Sequence, residues 1–341
     1  MSLSQGEAIM STPITLSERT GGMSSLGGKV RHLLHTLLQE VAVPLLGIGV
    51  FLLVWGMTAN RIDTSLGKFP GPGVVWEQAQ NLVVEYREEL VKEEEFHVRQ
   101  AERNAERLAA DPTYDAKVRA YTGKVTFPSQ IYTSLVTVLS GFAVALVLAL
   151  PLGIAIGLSK TLNSAFNPII QIFKPVSPLA WLPLVTLVVS AVYTSDDPAL
   201  SKSYINSLLT VALCSIWPIV INTAVGVASI PQDWVNVSRV LRLSPLTHVR
   251  KIVLPAAVPM IFTGMRLSLG VAWMVLIAAE MLAQNPGLGK FVWDEFQNGS
   301  TNSMGRIMVA ILTIGLIGYL LDRTMLQLQR ALSWDKASAS R

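Results

Sequence analysis

Few residues in this chain are spaced for covalent chemistry. The nearest approach to a phosphate-cradling loop, Gly followed by four residues, Gly-Lys and a hydroxyl residue, is QNPGLGKF at 284–291. There Gln284 stands in place of the first glycine and Phe291 in place of the Ser or Thr that would hold a metal-bound phosphate. No HExxH zinc pair and no GxSxG nucleophile elbow occurs, and the four histidines are scattered along the chain. The single cysteine, Cys214, lies in an apolar run and reads as a small buried hydrophobe. These absences predict a chain that is not an enzyme and has no cofactor or metal of its own. What stands out is a few ionisable residues set in apolar surroundings, Lys174, Arg266 and Glu280, and a basic stretch between two apolar runs, NVSRVLRLSPLTHVRKIVLP at 236–255.

The elements that position these residues follow from composition. Of 341 residues, 51% are hydrophobic and 15% charged, and the mean hydropathy is +0.46. A soluble domain carries about 25% charged residues. Runs long enough to cross a bilayer, which takes about 20 apolar residues each, occur near 41–59, 131–158, 167–193, 204–228, 256–283 and 304–325. The predicted fold class is therefore all-α, a polytopic membrane protein of six transmembrane helices. Residues 1–30 lack the apolar core of a secretory signal, so the run at 41–59 is read as a retained span. The basic pI near 9.2 reflects lysines and arginines placed beside spans, which is a topology signal and argues against a nucleic-acid partner.

Lys29, Arg31, Lys160, the basic stretch, Arg323, Arg330, Lys336 and Arg341 all fall on one side of such a six-span arrangement. By the positive-inside rule that side is the cytoplasm. Both termini are then cytoplasmic, and the loops at 60–130, 194–203 (with Asp196 and Asp197) and 284–303 face outward, which removes the imitation phosphate loop from any ATP. The expected organisation is an N-terminal tail over 1–40, a first span over 41–59, an outer loop over 60–130, a core of five spans over 131–325 and a C-terminal tail over 326–341. Within 60–130 a segment rich in Glu, Arg and Ala, with oppositely charged pairs such as Glu88 with Lys92 and Glu95 with Arg99, predicts a solvated helix ending at Asp111-Pro112. It reads either as a spacer or as a surface for an outer partner.

Span three carries Pro168, Pro175, Pro178 and Pro183, so it is not a straight helix throughout; broken helices survive in membranes where protein or a water-filled path accepts the freed backbone groups. Gly153 and Gly157 form a GxxxG spacing that permits close helix approach. Arg266 and Glu280 share span five but stand fourteen residues apart, about 21 Å along a helix, and do not pair. An ionisable residue within a span is a candidate for path or gating by default, with snorkelling or an interhelical hydrogen bond as the plainer reading. Lys174 either lines a path or reaches the head groups.

On a helix, Trp234, Val237, Val240 and Leu241 gather on one arc and Asn236, Ser238, Arg239 and Arg242 on the other. Ser244-Pro245 supplies a cap and first position for a second short helix, and Leu254-Pro255 leads into span five. Such a unit serves as an interfacial helix, a connector or a docking element. Its order resembles the signature loop of permease subunits of ATP-binding-cassette importers: Glu-Ala-Ala, three residues, Gly, nine residues, Ile-x-Leu-Pro. Glu-Ala-Ala falls on Asn236, Val237 and Ser238, the glycine on Arg242, and the end matches at Ile252, Val253, Leu254 and Pro255.

FPGPGVVWE at 69–77, SLVTVLSGFAVALVLALPLGIAIGLS at 134–159 and PAAVPMIFTGMRLSLGVAWMVLIAAEML at 255–282 extend the resemblance over most of the chain. It is similar to the branch handling nitrate, bicarbonate, taurine and alkanesulfonates, and most to nitrate permeases, with nitrite and cyanate as further substrates. The resemblance implies a type I importer permease fold in a bacterial inner membrane. It implies a second permease copy, two ATPase subunits that hold ATP and Mg, and an extracytoplasmic substrate-binding protein that delivers a small oxyanion. It also implies that Asn236, Val237, Ser238, Arg239, Arg242, Ser244, Pro245, Arg250, Leu254 and Pro255, within a loop spanning 231–254, carry ATPase motion to the spans. The rival of another class is an ion-driven carrier or channel, in which this loop only faces lipid.

Overall fold

The computed structural model describes residues 39, 42–59, 61–64, 67–111, 113–194 and 200–332. Lys29, Arg31, Pro112, Asp196, Asp197, Lys336 and Arg341, used in the topology and helix-end arguments, lie outside them. The chain divides into two units, residues 1–61 and 62–341. In the first, α1 (Val43–Ala59) is a 17-residue helix whose apolar side chains are exposed nearly all round. Such a helix needs lipid or protein around it.

Apart from a two-residue antiparallel pair, β1 (Asp63–Thr64) with β2 (Gly67–Lys68), the second unit is helical. Its helices are α2 (Pro72–Ala110), α3 (Phe127–Leu158), α4 (Lys160–Phe173), α5 (Pro178–Val192), α6 (Lys202–Ala228), α7 (Gln232–Val240), α8 (Pro245–His248), α9 (Leu254–Ala283), α10 (Leu288–Asn298) and α11 (Ser303–Leu332). Among the described residues, α3, α6, the run Pro245–Ala283 and α11 are each long and apolar enough to cross a membrane. The all-α class holds, and with α1 and the α4–α5 pair all six expected apolar runs are helical. Two of them are not simple spans: α1 has 17 residues, and α4 and α5 meet at 99°. Pro175 cannot continue α4, while Ser177 restarts the chain by accepting a hydrogen bond from the Leu179 N–H ahead of Pro178.

The bundle is built around α6, which packs on α3 and on α9. A methyl group added at Gly153 would lie 2.7 Å from Thr223 Cβ, and one at Gly157 2.6 Å from Val227 Cβ. The GxxxG pair thus meets residues of α6 that are also four apart. On its other face α6 presents Gly226 to Met260, while Gly264 of α9 fits over Asn222. Around these approaches lie Phe142, Ala149, Ile156, Ile219, Val220 and Leu269, all buried. Lipid is as apolar as leucine, so helices in a membrane associate through such close packing and not through transfer out of water.

The outer loop departs from the expectation of a purely solvated helix. Its helix α2 starts at Pro72 and runs for 39 residues, with Val75, Gln78, Leu82 and Gln100 buried. It ends at Asp111, as expected, with Arg107 in its last turn. The apolar opening of the helix docks against α11, where Gly305 faces Gln78. Lys92 pairs with Glu89, one turn-edge away, and not with Glu88, whereas Glu95 and Arg99 pair as expected, both at 3.4 Å.

The chain then returns along α2 in extended form. Gln100 accepts from Arg119 N at 2.9 Å and donates to Arg119 O at 3.1 Å, Glu89 accepts from Tyr121 Oη and Lys124 N, and Arg107 donates to Tyr114 Oη. Glu85 joins this hairpin to the bundle: it binds Lys124 Nζ at 2.8 Å and Arg306 of α11, whose guanidinium also reaches Glu295 of α10 at 3.2 Å. Burial opposes the ionised form of Glu85, but the Lys124 hydrogen bond and the charges of Arg306 and Lys124 outweigh it and hold the carboxyl below its ordinary value.

Replacing Gly157 by Leu should destabilise the bundle by about 1–3 kcal/mol through overpacking, read as a lowered unfolding temperature in detergent. Gly270→Leu, at a position with open space around it, should not. The depressed Glu85 gives a second expectation. Its contribution is present above the ordinary carboxylate range and disappears as pH falls through the lowered folded value. Proteolysis of the α2 hairpin should therefore accelerate on acidification below about 4.3, the usual glutamate value, and Glu85→Gln should accelerate it already at neutral pH.

Candidate functional site

The basic stretch folds as α7, a sharp turn, and a helix that does not stop. α7 exposes Trp234, Val237, Val240 and Leu241, so the apolar arc points out of the protein, and Leu246 joins it at 78% exposure. Asn236 and Arg239 are exposed as well, while Ser238 is buried. Ser238 binds His248 Nδ1 at 2.8 Å, and its carbonyl accepts from Leu243 N, so α7 is clamped to the start of the next helix. Ser244 caps that helix as expected, accepting from Thr247 N ahead of Pro245.

The second helix is not short. It continues through a π-helical stretch, Val249–Val253, into α9, forming one run from Pro245 to Ala283. The wider turn accommodates Pro255, which offers no N–H and whose ring would crowd the carbonyl four residues back. Arg250 and Pro255 are exposed, Leu254 half-buried and Val253 fully buried. α7 is thus tied, through the Ser238–His248 contact, to a continuous helix.

Arg242 occupies the turn with φ +47°, in the left-handed region. This is the position on which the glycine of the resembled signature falls. Left-handed backbone costs a non-glycine residue roughly 1–2 kcal/mol. Arg239 and Arg242 line one open cleft of about 980 Å³ together with Lys160, Gly157 and Val227.

The ionisable residues of the spans resolve into separate roles. Arg266 forks onto Asp322 of α11 through Nε and Nη2 at 2.8–3.0 Å, which ties α9 to α11. Asp322 lies inside the predicted last span and could have been found there by its charge alone. Glu280, near the far end of α9, is fully buried and meets no cation among the described residues. Its carboxylate accepts from Ser134 Oγ at 2.8 and 2.9 Å and from Gly289 N at 3.0 Å, and Ser134 in turn accepts from Leu288 N. Leu288 and Gly289 are the first two residues of α10, whose own cap residue, Gly287, has no side chain to offer. Glu280 therefore caps α10 from another helix, where the helix dipole favours a negative group.

This also explains QNPGLGKF. A methyl group at Gly287 would land on the Glu280 carboxylate, and one at Gly289 on the Ile277 carbonyl. The glycines at this helix N-terminus leave room for the chain's own Glu280 carboxyl. Lys290 points elsewhere, to Asp294 at 2.8 Å and Gln284 at 3.1 Å. Lys174 is exposed at the α4–α5 bend and makes no ion pair among the described residues. Ser134 is not readable as a partner of Glu280, because 146 residues separate them.

Glu280→Gln should weaken the cap and cost about 1–3 kcal/mol. Gly287→Ala should do the same by steric displacement of the carboxylate. Both are checked by unfolding temperature and by faster amide exchange at Leu288 and Gly289.

A family model described as a binding-protein-dependent transport system inner membrane component matches residues 141–334. The bicarbonate transport system permease protein CmpB of Synechococcus elongatus is 34% identical over 86% of this chain and 90% of its own length. The nitrate import permease proteins NrtB of Leptolyngbya laminosa and Synechocystis sp. are 42% and 41% identical, each over 57% of this chain and 64% and 66% of their own lengths. In fold, the chain is similar to an inward-facing structure of the MetNI methionine ABC transporter, with a TM-score of 0.51 at 17% identity over 60% of this chain and 95% of that one. Matching the family model over more than half its length and CmpB over nearly all of it, the chain belongs to the inner membrane components of binding-protein-dependent transport systems.

Proposed function

We propose that the chain is the membrane-spanning subunit of an ATP-driven importer for a small oxyanion, nitrate in the first reading and bicarbonate in the second. The observation that carries the importer reading is the outward-facing apolar arc of α7, with Trp234, Val237, Val240 and Leu241 uncovered beside Arg239 and Arg242. Exposed apolar side chains on a clamped helix suit a protein groove. The partner is an ATPase subunit, which holds the ATP and Mg. The higher identity to NrtB favours nitrate, and the longer match to CmpB favours bicarbonate.

In this reading the stretch 231–254 is the ATPase-coupling loop, with Asn236, Val237, Ser238, Arg239, Arg242, Ser244, Pro245, Arg250, Leu254 and Pro255 as its working residues. ATP binding draws the two ATPases together, α7 follows, and the Ser238–His248 contact passes the motion into the helix Pro245–Ala283, so that the path alternates between the two sides. A second copy of the chain completes the path. Both termini are cytoplasmic, and the α2 hairpin stands on the outer side, where the substrate-binding protein arrives and docks. Arg266 and Glu280 act in the gate through the helices they join, and Lys174 faces the path at the bend.

The test is ATPase activity in proteoliposomes holding this chain, its ATPases and its binding protein. Nitrate should stimulate hydrolysis several-fold, and changing Arg239 and Arg242 together to Glu should abolish the stimulation. Stimulation by bicarbonate alone would select the second reading. Assembly with no ATPase would overturn both and return the chain to the carrier class.

A further inference from the structure

α4 is amphipathic in a way that neither core packing nor α7 docking uses. At 100° per residue, Lys160, Asn163, Ser164, Asn167, Gln171 and Lys174 fall within an arc of about 100°. The opposite side carries Leu162, Ile169 and Ile172, which are apolar and exposed, while Ile170, at the edge of the polar arc, is buried in the core with Phe166 packed against it. The polar face is not self-satisfied: its one internal contact is Gln171 Nε2 to Asn167 Oδ1 at 3.4 Å. Three of its amides, Asn163, Asn167 and Gln171, line a cavity of about 220 Å³ against the end of α6. That cavity adjoins the cleft of about 980 Å³ beneath α7, and Gly157, Lys160 and Ala228 line both.

The electrostatics of the two spaces agree. Among the described residues neither is lined by Asp or Glu, while Lys160, Arg239 and Arg242 supply positive charge. None of these three cations forms an ion pair among the described residues. Amides offer neutral donors that hold an oxyanion weakly enough for it to leave, and an acid-free route with cations at its end draws anions and repels cations. A lipid-facing helix would expose those amides to hydrocarbon, where unsatisfied polar groups are costly. Seating Lys160 on lipid phosphate leaves the amide-lined groove against α6 without a purpose.

We propose that the polar face of α4, from Lys174 at the bend through Gln171, Asn167 and Asn163 to Lys160, lines the inner segment of the oxyanion route, which discharges into the cleft beneath α7. This rests on the importer reading above and names residues for its path.

The experiment uses the assembled transporter in inside-out vesicles, with Cys214→Ser removing this chain's single cysteine. Single cysteines are placed at Asn163, Asn167 and Gln171, with Ile172→Cys on the apolar face as control. An anionic, membrane-impermeant thiol reagent added from the ATPase side should label the three polar-face positions and not Ile172. Millimolar nitrate or bicarbonate should slow the labelling severalfold. In parallel, Lys160→Glu should lower uptake at least about tenfold, the size expected when charge is reversed within a few ångströms of a passing ion, and Lys160→Arg should retain it.

Labelling that no transported anion slows, with uptake unchanged in Lys160→Glu, overturns the route. Lys160 variants that alter only dependence on anionic lipid also overturn it and assign the lysine to head groups. A wild-type assembly that moves neither anion fails at the importer reading itself, and the route falls with it.

Discussion

The structure depends on how closely α6 approaches two neighbours at once. Gly153 and Gly157 admit it against α3, and Gly226 and Gly264 admit it against α9. In lipid the gain from such contact is dispersion between surfaces that fit, so a side chain at one of these glycines removes the reason for the helices to associate. Everything functional is hung on this three-helix core. α9 carries Arg266 and Glu280, the end of α6 leads into α7, and the end of α3 leads into Lys160 and α4.

The two ends of the bundle use charge differently. At the end bearing α10 and the α2 hairpin, several charges are answered: Arg306 by Glu85 and Glu295, Lys290 by Asp294, and Glu280 by the Gly289 N–H and Ser134. These contacts tie the hairpin to the bundle. At the end bearing α7, Lys160, Arg239 and Arg242 stand unpaired among the described residues around an open cleft, and Arg242 holds a left-handed backbone to be there. Strain and unpaired charge at a turn mark a place kept for a partner or a ligand.

Several features were legible in the sequence because they are local. Apolar runs mark their own length, Ser244-Pro245 and Asp111 mark helix ends, and the prolines between 168 and 183 mark a break, which the structure places between Phe173 and Pro178. The start of α2 is not legible, because its apolar opening, GVVW, differs in composition from the charged segment that continues it. Pro255 reads as a helix boundary in the sequence, whereas a π-helical turn carries the chain past it.

The sequence by itself determined an all-helical membrane protein of this transport family, with a basic stretch between two apolar runs. Those properties reside in periodicity, length and residue order, which survive without a partner. Only the tertiary structure decided which charges meet. Arg266 finds Asp322 across 56 residues and Glu280 finds Ser134 across 146, because helices far apart in the chain are brought side by side by α6. It also decided that the glycine-rich loop packs on the carboxyl of Glu280, and that the amides of α4 line a cavity adjoining the cleft of the α7 arginines. A pattern along one strand of chain specifies what a residue can bind, and packing alone specifies what stands opposite it.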